Sequence, residues 1–153
     1  MTTFHPKGMY LIGNLIFDLI KELKPNGIGG LTLGADPLAI ATALISHIKG
    51  QPIPAFTVRK QPKIHGTQQC VELGGLSAKK DSKIIVLDDV ITTGASTITA
   101  IKKLRDSGLK LIKVVVLVDR EEQNGKENIE QEGIEVCSIF TMSDILTFSS
   151  PQF

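Results

Sequence analysis

The chain has 153 residues, 42% of them apolar and 22% charged, with a formal net charge of +1; that is the size and composition of one packed unit, so a single domain over residues 1–153 is expected. Near-neutral charge, 5% aromatic residues and no Trp disfavour nucleic-acid binding by bulk charge or base stacking, which leaves an RNA-binding regulator a weak reading. The longest runs without a charged residue, 37–48 and 90–101, are too short for the roughly 30 Å hydrocarbon layer, so no membrane span is expected.

No basic segment followed by an apolar one opens at Met1, so no secretory leader is read. Cys70 and Cys137 stand far apart without CxxC or Cys/His spacing, which fits reduced thiols in the cytoplasm better than a disulfide framework or a zinc site.

Along the chain, helix-like and strand-like patterns alternate. Met9, Leu11, Ile12, Leu15, Ile16, Leu19, Ile20 and Leu23 predict a helix over 6–23, with Pro6 at its first turn and Pro25-Asn26-Gly27 as its stop. The short apolar stretch 28–32 predicts a strand, and Leu33-Gly34-Ala35-Asp36-Pro37 a turn into a helix over 38–48 capped by Asp36. Residues 54–58 read as a strand. The polar, Gly- and Lys-rich stretch 59–82 has no sustained period and predicts a long loop or hairpin, and such loops are usually functional.

The run Lys83-Ile84-Ile85-Val86-Leu87 predicts a strand buried on both faces that stops at Asp88-Asp89. A helix over 96–107 closes at Gly108, a second buried strand over 111–118 ends at Asp119-Arg120, and a polar helix over 124–132 stops at Gly133. A strand over 134–140 and a capping box at Thr141-Met142-Ser143-Asp144 before a short last helix complete the pattern. Strands alternating with helices of these lengths predict an α/β fold, a doubly wound and mainly parallel sheet with helices on both faces, whose ligands sit at the carboxyl ends of strands.

The densest chemistry lies in Asp88-Asp89-Val90-Ile91-Thr92-Thr93-Gly94-Ala95-Ser96-Thr97. A buried strand delivers two carboxylates to its end, and a hydroxyl-rich turn with one glycine follows where a helix begins. Helix-start N–H groups, the positive end of the helix dipole and the hydroxyls suit a phosphate there, and Gly94 lets the backbone come close to it. The acids would repel phosphate, so they suit the hydroxyls of an attached sugar or positive charge developing on it. Neither GxxxxGK[ST] nor GxGxxG is present, and a ribose phosphate fits better than either motif's ligand. The bland alternative, a strand end and a helix cap with no ligand, is outweighed by the coincidence of all three features in one block.

That block resembles the phosphoribosyl-diphosphate signature of the type I phosphoribosyltransferases. The likeness extends over most of the chain. Phe56-Thr57-Val58-Arg59-Lys60-Gln61-Pro62-Lys63-Ile64-His65-Gly66 is similar to the mobile-loop segment of the orotate phosphoribosyltransferase family, and Val118-Asp119-Arg120-Glu121-Glu122 to its nucleobase-facing strand end. The resemblance implies the type I phosphoribosyltransferase fold and a donor site made by Arg59, Lys60, Lys63, His65, Asp88, Asp89, Val90, Ile91, Thr92, Thr93, Gly94, Ala95 and Ser96. In it Asp88 and Asp89 hold the ribose hydroxyls, residues 92–96 the 5′-phosphate, and the basic segment the diphosphate. Thr92 and Arg120 face orotate, and Lys63, His65, Asp88 and Asp89 are the catalytic candidates. Read alone, residues 59–65 fit a solvated basic loop equally well, and Arg120 fits a surface pair with Glu121, Glu122 or Asp119.

The resemblance further implies Mg²⁺ carried by diphosphate oxygens with no metal ligand directly from the protein. It also implies a homodimer whose loops complete each other's sites. The expected activity is transfer of a phosphoribosyl group from 5-phosphoribosyl 1-diphosphate to orotate, in pyrimidine nucleotide biosynthesis. Alternatives are a weakly active or non-catalytic paralogue that binds this donor or a nucleotide as a regulator, and an enzyme for another base such as a purine. One departure bears on that choice: family members begin several tens of residues earlier with a small hood over the base, so weak orotate turnover with persisting donor binding is expected of this chain.

Overall fold

Pro6 opens α1 (Pro6–Ile20) at the one place in a helix where a missing N–H breaks no bond. The helix is shorter than its apolar spacing predicts, because a 3₁₀ turn, Lys21–Leu23, takes over and Lys24 leaves it in the left-handed region. After β1 (Gly27–Leu31) the chain turns into α2 (Ala35–Ile48), then β2 (Ala55–Val58) and the two-residue β3 (Val71–Glu72). The second half runs β4 (Lys83–Ile91), α3 (Ala95–Asp106), β5 (Lys110–Asp119), α4 (Gly125–Glu130), β6 (Val136–Thr141) and α5 (Met142–Ser149). The computed structural model describes residues 2–61, 70–72 and 81–149.

The strands form one sheet in the order β3-β2-β1-β4-β5-β6. All neighbours are parallel except β2 and β3, which pair antiparallel through Thr57 with Glu72 and Val58 with Val71. The expected doubly wound sheet is therefore present, and the stretch after β2 returns as a hairpin edge. Alternation along β4 separates two cores, since successive side chains of a strand point to opposite faces. Ile84 and Val86 pack with Ala100, Ile101 and Leu104 of α3 and Ile129 of α4. Ile85 and Leu87 pack with Ile16, Phe17 and Ile20 of α1 and Leu38 and Ile45 of α2. Each Val, Leu, Ile or Phe side chain among these contributes about 1.5–3 kcal/mol when fully buried.

Two boundaries differ from the sequence expectation in ways that matter for the site. β4 does not stop at its acids but runs on to Ile91, because the apolar run of β5 keeps the ladder going, with Asp88 opposite Val116 and Ile91 opposite Asp119. Strand ends are set by the partner as much as by the strand's own polarity. Asp36 is not the cap of α2: Gly34 takes that position, and Asp36 lies in the first turn. At the far end the capping box forms as expected, with Thr141 N–H donating to the Asp144 carboxylate and Asp144 N–H to Thr141 Oγ1.

The order places the switch point between β1 and β4. The helix after β1 covers one face of the sheet and the helix after β4 the other, so their two turns flank a crevice at the carboxyl edge, where ligands of such sheets bind.

Candidate active site

The turn after β4 is built from the strand outward. Asp88, on the α3 face with Ile84 and Val86, is only 6% exposed. Its Oδ2 accepts from Ser96 Oγ at 3.0 Å and from Thr97 Oγ1, and its Oδ1 accepts from Asp89 N–H. Burial pushes its carboxyl above the ordinary carboxylate value and the charge of Asp89 adds to that, against the opposing pull of the three donors. Asp88 is thus a brace under the first turn of α3. Thr93 Oγ1 accepts from Ala95 N–H, but the N-cap Gly94 has no side chain to cap the helix, which leaves the next N–H groups of the first turn, those of Ser96 and Thr97, for a ligand at its positive end.

Gly94 has a packing role beyond the one its sequence suggests. It sits at φ +78, and a Cβ there would lie 2.7 Å from the Gly125 carbonyl oxygen and 2.8 Å from Ile129 Cγ1. The turn and the start of α4 are packed backbone to backbone, since a Cβ on Gly125 would in turn strike the Thr92 carbonyl. Gly94 therefore serves the fit of the turn onto the protein.

Asp89 points the other way, to the face of Ile85 and Leu87, because adjacent strand residues alternate. It is half-buried over the turn after β1. Its Oδ1 accepts from Val90 N–H, and a Cβ on Gly34 would lie 2.6 Å from that oxygen. A side chain at position 34 would push the Asp89 carboxylate aside, so Gly34 keeps the β1–α2 turn close beneath it. Asp36, in that same turn, accepts from Thr57 Oγ1 of β2 at 3.3 Å, and burial holds its carboxyl above the ordinary value. The crevice thus has Asp89 and Asp36 as oxygen donors on one side and the α3 N-terminus on the other.

The cationic candidates are less free than their sequence implies. Arg59 Nε donates to Glu72 at 2.6 Å across the β2–β3 hairpin, and Glu72 raises the guanidinium's already high value. The exposed Lys60 follows it at the end of β2, and the carbonyls of both residues accept from Lys103 Nζ of α3, at 2.7 and 2.6 Å. Arg120 pairs with Glu122 at 2.9 Å, the surface pairing its neighbours allow. Lys63 and His65 lie outside the described residues. Among the described residues, no three His, Cys, Asp or Glu side chains form a metal-binding group, and no helix is long and apolar enough to cross a membrane.

The phosphoribosyl transferase domain family matches residues 8–139. Orotate phosphoribosyltransferase of Aquifex aeolicus is 49% identical over 144 residues, which cover 94% of this chain and 76% of that protein. The chain belongs to the orotate phosphoribosyltransferase family. The same-named protein of a Nostoc species is 38% identical, with 94% of this chain and 68% of the relative covered. A crystal structure of the Mycobacterium tuberculosis orotate phosphoribosyltransferase in complex with 5-phospho-α-D-ribosyl 1-diphosphate (PRPP) superposes with a TM-score of 0.78 at 35% identity, over 94% of this chain and 79% of that one. The family resemblance and the type I phosphoribosyltransferase fold read from the sequence are both borne out.

Within this family fold, the residues singled out by sequence do not all share one environment. Thr92, Thr93, Gly94, Ala95 and Ser96 form one continuous turn, but the Ser96 hydroxyl is directed inward to Asp88. Val90 is exposed, whereas the Ile91 side chain is in the core and its carbonyl accepts from Arg120 N–H. That last bond seats the Arg120 backbone beside the strand that leads into the 92–96 turn. Sequence reading included Thr97 in the hydroxyl-rich block without giving it a role, which is its bond to Asp88. It missed Lys103 and Asn128, which act through carbonyls and so carry no sequence signal.

Proposed function

We propose that the chain transfers the phosphoribosyl group of PRPP to orotate, a ring nitrogen of the base bonding to C1 of the ribose as the bond from C1 to the diphosphate oxygen breaks. The reading is supported by family membership, and the observation that carries it is the braced turn at residues 92–97, an α3 N-terminus with open N–H groups facing the crevice. The 5′-phosphate rests on residues 92–96, with Val90 and Ile91 as the backbone leading into them. Asp89 meets the ribose hydroxyls, and Asp88 holds the turn beneath them. Positive charge developing on the ribose is stabilised by these two carboxylates, and negative charge on the departing diphosphate by Arg59, Lys60, Lys63 and His65. Thr92 and Arg120 take the base, the guanidinium matching its carboxylate once it exchanges Glu122 for orotate.

Mg²⁺ fits this setting as an ion carried by the oxygens of the diphosphate, since it seeks hard oxygen ligands and no ligand directly from the protein is required. Bound there, it would neutralise charge on the leaving group. We further propose one cytoplasmic domain acting as a homodimer, whose basic loop reaches the partner's site. In support, α2 leaves Ile40, Leu44 and Ile48 at 58–68% exposure, one turn apart on a single face, more apolar surface than an isolated helix face ordinarily shows to water.

The test is the loss of orotate absorbance in the presence of Mg²⁺ and PRPP. Loss that requires both is expected. PRPP binding with no turnover of orotate, and turnover of a purine instead, would overturn the choice of base.

A further inference from the structure

The β5–α4 turn is held in an unusual conformation: Glu121, Gln123 and Asn124 have φ of 57, 51 and 52°. Non-glycine residues keep such angles only where their surroundings hold them. Three ties do so. Asp119 Oδ1 accepts from Glu121 N–H, the Glu121 carboxylate accepts from Ser143 N–H and Oγ at the start of α5, and Asn128 Nδ2 donates to the Gln123 carbonyl at 3.1 Å. The third tie is shared. Asn128 Nδ2 also donates to the carbonyl of Thr93 at 3.0 Å, so one side-chain amide on α4 spans the turn after β5 and the turn after β4.

Both neighbours of Asn128 Nδ2 are carbonyl oxygens, which fixes the amide orientation, because only the NH₂ group has hydrogens to offer them. The consequence for Thr93 is geometric. Peptide groups are planar and trans, so holding the Thr93 carbonyl toward α4 sets the plane of the Thr93–Gly94 peptide and with it the direction of Gly94 N–H. Gly94 and Gly125 fix the distance between turn and helix; Asn128 fixes the rotation.

We propose that Asn128 is a positioning residue for phosphoribosyl binding: it aims the backbone of the 92–96 turn at the 5′-phosphate and locks that turn in register with the one that follows Arg120. This rests on the reading that the 92–96 turn holds the phosphate. Asn128 itself does not touch the ligand. The inference predicts selectivity by ligand. Ribose 5-phosphate carries only the group that the turn binds, whereas Mg²⁺ with diphosphate carries only the group assigned to the basic arm.

The experiment is calorimetric titration of the wild type, Asn128→Ala and Asn128→Asp with each of these two probes, with thermal unfolding of all three proteins. Loss of one neutral hydrogen-bonding group predicts about fivefold weaker binding of ribose 5-phosphate to Asn128→Ala. Asn128→Asp, which sets a carboxylate of nearly the same shape against two carbonyls and near a phosphate, should lose at least tenfold. Affinity for Mg²⁺ with diphosphate should stay within twofold in both. Unchanged ribose 5-phosphate binding in both variants, or equal weakening for both probes, would overturn the role of Asn128. A wild type that binds Mg²⁺ with diphosphate but no ribose 5-phosphate would instead overturn the reading of the turn on which that role depends.

Discussion

The two sides of the crevice are prepared for anions in opposite ways. On the α3 side, the carboxylate of Asp88 is consumed internally by Ser96, Thr97 and the Asp89 amide, and the groups left for a ligand are first-turn backbone N–H. On the β2 side, the charge itself faces outward, but Arg59 is paired to Glu72 and the chain around Lys60 is held by Lys103. The first side is preorganised by these internal bonds; on the proposed reading, the second exchanges one set of partners for another when the diphosphate binds. That contrast suits a ligand whose phosphate stays put while its diphosphate departs, because a fixed cradle holds the sugar and an exchangeable one releases the product.

The largest effect that would break this comparison is structural. Gly94→Val forces a β-branched residue to φ +78 and into the Gly125 carbonyl, and is expected to cost about 3 kcal/mol or more of stability, read by urea or thermal unfolding. A variant that unfolds like the wild type would mean that the turn is not seated on α4.

Next comes Asp88→Asn, which keeps the shape but puts donors where Ser96 and Thr97 donate; about tenfold weaker ribose 5-phosphate binding is expected. Its pH dependence has a definite sign. Asp88 is raised above its ordinary 3.8 in the fold, so the folded state holds that proton more tightly than the unfolded state. The stability linked to it is complete below the ordinary value and is lost as pH rises through the raised one. The asparagine variant lacks this loss, so the difference in Tm between variant and wild type should move in the variant's favour as pH climbs from about 3.8. A drift the other way would show that the hydrogen bonds, and not burial, dominate at Asp88.

Smaller effects probe the other side. Lys103→Met removes both bonds to the Arg59 and Lys60 carbonyls, and about threefold to fivefold weaker binding of Mg²⁺ with diphosphate is expected, with ribose 5-phosphate unaffected. The smallest is Glu72→Gln. Releasing Arg59 from its exposed pair should tighten diphosphate about twofold at low ionic strength and not at all at high salt. If either change altered ribose 5-phosphate affinity instead, the two sides would not be separate devices.

How much of this was legible in the sequence follows from what kind of atom does the work. The sheet could be read because its strands are continuous apolar runs and its helices carry turn-spaced ones. The 92–97 turn could be read because hydroxyls, acids and a glycine are side-chain identities. Its inner wiring could not. Asp88 and Asp89 look like a matched pair in one dimension, yet the two-residue period of a strand sends them to opposite faces, one beneath α3 and one over Gly34. Arg59 read as a free cation because its partner, Glu72, is fixed by a hairpin register, whereas the pairing of Arg120 with Glu122 was one of the surface pairs its neighbours offered. Lys103 and Asn128 bind carbonyls, which every residue has, so no pattern of residue types marks them. Gly94 was legible as special, but its packing against α4, more than thirty residues on, was not.

The central claim is that the α3 side of the crevice holds the phosphoribosyl end of PRPP. A crystal structure of the chain with Mg²⁺ and PRPP tests it most directly. The 5′-phosphate should lie over residues 92–96 within hydrogen-bond distance, about 2.7–3.2 Å, of their N–H groups, with the ribose hydroxyls toward Asp89 and the Asp88 bonds to Ser96 and Thr97 unchanged. A ligand seated with its diphosphate on that turn, or a turn that reorganises to release Asp88, would contradict the account.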